Sequence, residues 1–364
     1  MMRSTKKPNI QQSTYGVMPN GEVVTQYHLQ NRTGLEVSII TYGGIITSIK
    51  TPDKHGKLGN IVLGLDDLTQ YMNCKAYFGS VIGRYAGRIS QGEFNINDEV
   101  YILDKNNGNH HLHGGVTGFD RRNWQASPYI KEMKEPAKNS VGVKLQLLSG
   151  DGDQGYPGNL NVTVDYILTD DNQLMTCYQA NTDKTTHVNL TQHSYFNLAC
   201  EGDILSHQAT IYADEIAELD HELIPTGKLM PVDKTVFDFR VAKTIGNDIN
   251  NDNSQIQIAK GYDHSYVLNK TKPNSFDLAA SVYEPESGRK LNVYTDEPSV
   301  QFYTGNSLTA AGEKQQHYPY TKWSGFCLEP QHFPDTPNKP HFPSTLLYPG
   351  EVFSSNMCYQ FEIL

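Results

Sequence analysis

Hydrophobic residues along this chain recur with a period of two, in short runs broken by turn residues. Leu35, Val37 and Ile39 precede a Gly43-Gly44 break, followed by Val143, Leu145 and Leu147, then Val162, Val164, Tyr166 and Leu168. Side chains alternate across a strand, so each run predicts a strand with one buried face. The series continues with Leu291 and Val293, Val300 and Phe302, and a final strand through Met357, Tyr359, Phe361 and Ile363. A helical stripe is scarce: Asp66 to Met72 predicts one short helix with Leu68 and Met72 inward, too brief to form a layer. That disfavours βαβ folds. The Asn-rich stretch from Asn247 to Ser254 reads as a surface loop, and no linker or self-similar repeat interrupts the pattern. The expectation is an all-β protein, a large two-sheet antiparallel β-sandwich with few short helices, in a single domain over residues 1–364.

Composition narrows the function classes. The chain has 364 residues, 37% hydrophobic and 19% charged, enough to bury a core, and its 22 Tyr, 30 Gly and 18 Pro suit strands and turns. A formal charge of -10 leaves no basic field for a phosphate backbone, which argues against nucleic-acid partners. No run of eighteen apolar residues appears, and the opening MMRSTKKPNIQQST lacks the apolar core of a secretory signal, so the sequence reads as cytoplasmic, without membrane partners. The cysteines Cys74, Cys177, Cys200, Cys327 and Cys358 are odd in number and scattered, predicting reduced, mostly buried thiols. Matches to N-x-[ST] at Asn31, Asn161, Asn189 and Asn269 read as chance in a chain without a signal.

Five segments carry more polar or Gly residues than turns need. GRYAGRIS (83–90) offers two arginines four apart, without the Gly-Lys-[Ser/Thr] of a phosphate loop, and reads alone as surface or core-capping arginines. In NNGNHHLHGG (106–115), an extended strand would point His111 and His113 the same way; metal, structural and proton-transfer readings stay open, with no HExxH to complete a metal set. DGDQGYPG (151–158) begins like a calcium loop but has Tyr156 and Val162 where Gly and Glu belong, leaving a turn that shapes a cleft rim. VNLTQHSYFNL (188–198) places His193 in a strand-like run. GFCLEPQHFPD (325–335) sets Glu329 after Phe326, Cys327 and Leu328, where burial raises a carboxyl toward the range of a base. With Asp263 in GYDHSYVL, the inventory of two carboxylates, histidines and an arginine suits proton transfer on a polyol.

In this order, GRYAGRI, HHLHGG, DGDQGYPG, VNLTQHSYFNL, GYDHSYVL, QFYTGNSL and LEPQHFPD resemble the signature of the aldose 1-epimerases, the galactose mutarotases, across nearly the whole chain. The resemblance implies a supersandwich fold, an open cleft for a free monosaccharide and no cofactor or metal. It implies Glu329 as base, His193 as acid and His113 as second histidine, with Arg88, Asp263 and Gln301 holding sugar hydroxyls. Two positions depart from the family pattern. Gly87-Arg88 stands where Asn-Arg is usual, removing an amide that Asn109 or His111 could replace, and Gln192-His193 stands where Asn-His is usual.

Changing an anomer requires opening the ring to the aldehyde and closing it on the other face. One base takes the anomeric hydroxyl proton while one acid, here His193 as imidazolium, protonates the ring oxygen. Tyr156, Phe196 and Tyr303 are candidate faces for the sugar's C–H patch. Rival readings are a phosphosugar epimerase, which wants clustered basic side chains, a glycoside hydrolase using Glu329 with Asp263, and a catalytically altered sugar-binding protein of the same fold.

Overall fold

In the computed structural model, residues 8–131, 139–308 and 320–364 are described. The opening residues 1–7, part of the segment read for a signal, lie outside them.

The predicted strands form with most of their alternating residues buried, although Leu147 is half-buried, Ile363 is exposed at the end of the last strand, and Leu35 stands just before Glu36–Ile40. Leu160–Thr169 alternates without a break, and Val164, Tyr166 and Leu168 are fully buried. Full burial of a side chain of this kind contributes about 1.5–3 kcal/mol relative to exposure. This strand lies in a nine-stranded antiparallel sheet ordered Gln125–Lys131, Ser140–Ser149, Leu160–Thr169, Gln173–Thr182, Phe353–Ile363, Arg289–Thr295, Asp277–Tyr283, Gln208–Ile211 and Lys243–Thr244. The final strand pairs with both Gln173–Thr182 and Arg289–Thr295, so the end of the chain fills the sheet's middle. A five-stranded sheet holds Asn9–Val17, Val23–Gln30, Glu36–Ile40, Ile46–Pro52 and Leu58–Asn60; another holds Pro225–Pro231, Ala213–Leu219, Asp263–Leu268, Ser299–Tyr303 and Cys327–Gln331. Val37 and Ile39 from the first, Val300, Phe302 and Leu328 from the second, and Val143, Val164 and Tyr359 from the large sheet meet in one core.

The short helix forms over Leu68–Asn73, capped by Asp67, whose carboxylate accepts from Gln70 N–H at 2.8 Å. Leu68 and Tyr71 are its buried residues, whereas Met72 is only half-buried. Tyr71 faces inward because its hydroxyl accepts from Leu65 N–H at 3.0 Å. A second helix, Ser254–Ala259, starts where the sequence reads as loop; Asn253 caps it and Lys260, at φ +59°, ends it. The cysteines are all free, but only Cys327 and Cys358 are buried; Cys74 and Cys177 are half-buried and Cys200 is exposed.

Candidate active site

Three adjacent strands lay out the floor of a cavity of about 1080 Å³. Ser265 pairs with Gln301 and Gln301 with Glu329, while Asp263 pairs with Tyr303 and Tyr303 with Cys327. Directly opposed residues share a face, as do residues two apart on one strand, so Asp263, Ser265, Gln301, Tyr303, Cys327, Glu329 and Gln331 share the face turned from the core. The intervening His264, Tyr266, Phe302 and Leu328 are buried beneath it. At the centre, Gln301 Nε2 donates to Asp263 Oδ1 at 2.7 Å and its Oε1 accepts from Ser265 Oγ at 2.5 Å. Both ends of the amide are used, which fixes its orientation and the Asp263 carboxylate.

Connecting segments bring the histidines over this floor. His193 follows the short strand Thr191–Gln192; its N–H donates to Ser80 O and its carbonyl accepts from Gly79 N–H, both at 2.9 Å. His193 Nε2 lies 3.8 Å from Glu329 Oε1, and its Nδ1 lies 3.6 Å from Cys327 Sγ. His193 is 4% exposed and Glu329 2%. Burial pulls the imidazole down to about 4. Burial first, and Asp263 second, hold the Glu329 carboxyl well above its ordinary range. Glu329 Oε2 is buried without a hydrogen-bond partner among the described residues.

His113 reaches the cavity by a route that the alternation of a strand does not give. The strand His111–Leu112 is two residues long, and His113 leaves it at φ +51°, so His111 and His113 part company. His111 is fully buried away from the cavity, its Nδ1 2.7 Å from the Asp104 carbonyl and its Nε2 2.9 Å from the Tyr156 hydroxyl, which makes it a structural histidine. His113 instead takes a hydrogen bond on Nδ1 from Gly87 N–H at 3.1 Å, placing its own proton on Nε2. Burial, then His193 and Arg88, push its pKa well down, so it is a neutral donor. Tyr77, at φ +58°, covers both rings, with centroids 4.8 Å from His113 and 5.8 Å from His193.

The ligand atoms of His113, His193 and Glu329 all lie within 4.8 Å of one another, a set of metal-ligand types. The set fits a metal poorly. A metal on His113 Nε2 needs the ring proton on Nδ1, where it would face the Gly87 N–H.

The arginines separate. Arg88 lines the cavity and donates from Nε to Asn107 Oδ1 at 3.1 Å. Arg84 is 2% exposed and donates to the carbonyls of Pro157, Gly158, Ser149 and Gly150 and to Ser149 Oγ. The loop expected at the cleft rim, Asp151–Gly158, therefore wraps Arg84 and lines no part of this cavity. Gly87 and Gln301 line the cavity, as do Arg88 and Asp263. Asn109 and His111 do not, but Asn107 does. Gln192 is fully buried, its amide donating to Gly79 O at 2.7 Å, so it braces the turn below Tyr77 rather than facing the cleft. Of the three aromatic candidates only Tyr303 lines the cavity; Tyr156 and Phe196 are core, and Tyr77 and Tyr195 take their places. Gln331, Asn107 and Tyr77 carry no signal of their own in the sequence, although Gln331 stands two residues after Glu329 on one strand.

An all-β sandwich whose cavity gathers a buried carboxyl, two neutral imidazoles and a floor of amide and carboxyl groups has the makings of a class of protein that moves protons on a polar ligand. The aldose 1-epimerase family pattern matches residues 25–360, and the chain belongs to that family. It is 40% identical over 358 residues to a galactose mutarotase of Sus scrofa, covering 98% of this chain and 99% of the relative. It is 38% identical over 351 residues to an aldose 1-epimerase of Escherichia coli (strain K12), covering 96% and 98%. The solved structure of a galactose 1-epimerase from Lactobacillus acidophilus NCFM superposes with a TM-score of 0.84 at 28% identity, covering 98% of this chain and 99% of that one. Among the described residues no helix is long and apolar enough to cross a membrane.

Proposed function

We propose that this chain is an aldose 1-epimerase that interconverts the α and β anomers of free hexoses such as galactose and glucose, working as one domain in the cytoplasm. The observation that carries the reading is the buried His193–Glu329 pair, 3.8 Å apart on the cavity floor. Burial penalises both charges, so the pair's single proton rests on Glu329 when no sugar is bound. A bound sugar supplies a hydroxyl donor to the unpartnered Glu329 Oε2, which favours the carboxylate and moves the proton to His193 Nε2.

Glu329 then takes the anomeric hydroxyl proton while His193 gives its proton to the ring oxygen, and the C1–O5 bond breaks to the aldehyde. Rotation about C1–C2 presents the other face, and closure reverses both transfers. Each acid or base term contributes on the order of 10² to 10⁴. His113 Nε2–H donates toward the ring oxygen, and Arg88 stabilises negative charge on oxygen. Asp263, held by Gln301, binds hydroxyls with Gln301 beside it, and Gly87, whose backbone N–H and carbonyl both bond His113, serves the site by holding that ring.

The phosphosugar reading is weakened by the lining charges: Arg88, Lys75 and Lys260 are matched around the cavity by Asp67, Glu222 and Asp263, which leaves no net positive field. A silent binder has no use for an acid–base pair buried at 3.8 Å. The test is polarimetry on freshly dissolved α-D-galactose and α-D-glucose in EDTA. Fast equilibration by wild type, lost by several orders of magnitude in Glu329→Gln, is the expected result. A loss below tenfold overturns the base assignment, and no acceleration by wild type overturns the reading.

A further inference from the structure

Gln331 is 1% exposed, lines the cavity, and its side-chain oxygen is buried with no hydrogen-bond partner among the described residues. Its backbone carbonyl is occupied, accepting from Ser299 Oγ at 2.6 Å, so the strand beneath it is fixed. A buried amide oxygen left open in a well-packed fold calls for an explanation, and a cavity on that face offers one. Glu329 Oε2, two residues earlier on the same strand and the same face, is the other open acceptor on this floor.

At about 3.3 Å per residue the two positions lie roughly 6.6 Å apart along the strand, a spacing one pyranose ring bridges. We propose that Gln331 is a substrate-contacting, specificity-determining residue, its amide oxygen accepting from the secondary ring hydroxyl, at C3 or C4, that lies across the ring from the anomeric hydroxyl on Glu329. The inference rests on Glu329 taking the anomeric hydroxyl. It explains why two acceptors stand open together: a free sugar brings donors to both at once. Gln301 cannot serve this purpose with its oxygen, which Ser265 already occupies.

Gln331→Met keeps the length and removes the acceptor. Deleting a bracing group lowers the melting temperature, whereas deleting an unpartnered acceptor leaves it unchanged or raised. The expected result is an unchanged or higher melting temperature with kcat/KM on galactose reduced 10- to 100-fold and an unshifted pH profile. Monodeoxy galactoses close the test. Wild type should lose on either the 3-deoxy or the 4-deoxy sugar, and Gln331→Met should show no further loss on that sugar. A Gln331→Met variant within twofold of wild type on galactose, one that melts several degrees lower or fails to fold, or one that keeps the full deoxy penalty overturns the proposal. Gln331→Asn, which retains a shorter acceptor, should fall between wild type and Gln331→Met. Glu329→Gln run in parallel separates the outcomes, since retained activity there strikes the base assignment and leaves the Gln331 comparison with wild type intact.

Discussion

Two arginines four residues apart in GRYAGRIS should fail in opposite ways. Arg84→Met leaves the carbonyls of Ser149, Gly150, Pro157 and Gly158 without the guanidinium that gathers them inside the protein. The Gly150 carbonyl keeps its bond from Asp153 N–H at 3.0 Å, and each buried acceptor that is left without a partner costs about 1–3 kcal/mol. Part of that sum is recovered because a charge no longer has to be held out of water: burial already depresses the Arg84 pKa to about 10. A net loss of about 3–5 kcal/mol follows. With an unfolding entropy of about 2.1 cal/mol/K per residue, a chain of this length should melt roughly 4–7 °C lower. The remaining folded enzyme should turn over sugar within about threefold of wild type, because Arg84 lies away from the cavity. Arg88→Met should do the reverse, losing on the order of 10² in kcat/KM with little change in melting, because a charge facing developing negative oxygen is removed. Calorimetry and polarimetry on the two variants check both halves. An Arg84→Met enzyme with an unchanged melting point, or one that loses turnover more than stability, refutes the assignment of that side chain to the fold.

On the proposed mechanism the His193–Glu329 pair shares one proton and a second arrives only as His193 titrates near 4, so kcat/KM measured against falling pH should decline below about 4, and an acid-side decline centred on the ordinary imidazole value near 6.5 counts against it. Gly87→Asn should not improve the enzyme: an added Cβ lies 2.8 Å from Pro334 Cγ, and the strain, about 1–3 kcal/mol, should lower the melting point and loosen the Gly87–His113 bond, cutting kcat/KM; a variant better in both measures contradicts this. His332 and Glu297 lie 2.6 Å apart away from the catalytic pair. Burial lowers the His332 pKa, and the Glu297 charge and hydrogen bond together more than offset it; burial raises Glu297, and the His332 charge together with hydrogen bonds from His332 and Ser355 more than offsets that. The imidazole's contribution is therefore complete below about 6.5 and lost as pH rises through its raised folded value, while the carboxylate's is present above about 4.5 and lost as pH falls through its lowered one. Glu297→Gln should flatten the melting temperature from pH 5 to 8, and an unchanged slope in wild type and variant would show that the pair contributes nothing.

What the sequence disclosed follows from the range of the interactions concerned. Val162, Val164, Tyr166 and Leu168 announce a strand because alternation is local and one face is buried. Glu329 is legible because the apolar residues before it predict burial, which raises its pKa. The common direction expected of His111 and His113 fails because the His113 side chain is turned by a single backbone angle after a two-residue strand, and no run of residues encodes that. Arg84 and Arg88 look alike in sequence; their separation depends on a loop some seventy residues on, which closes over one and not the other. Asn107, Tyr77 and Gln331 enter the cavity through tertiary proximity, and the second helix hides behind an Asn-rich stretch whose last asparagine is its cap.

The cavity floor also bears on how such an enzyme can change its sugar. Because its groups stand at regular intervals on three neighbouring strands, about 4.8 Å between strands and 6.6 Å along them, the sheet acts as a ruler. The row holding Ser265, Gln301 and Glu329 carries the proposed base and anchors Asp263, while in the row of Val267, Ser299 and Gln331, one pleat further along, Gln331 alone of the three lines the cavity. Selection can rewrite Gln331, exchanging an acceptor for a donor or a large side chain for a small one, while Ser299 holds the backbone that spaces the first row. One scaffold can thus accept different hydroxyl patterns while its chemistry stays fixed.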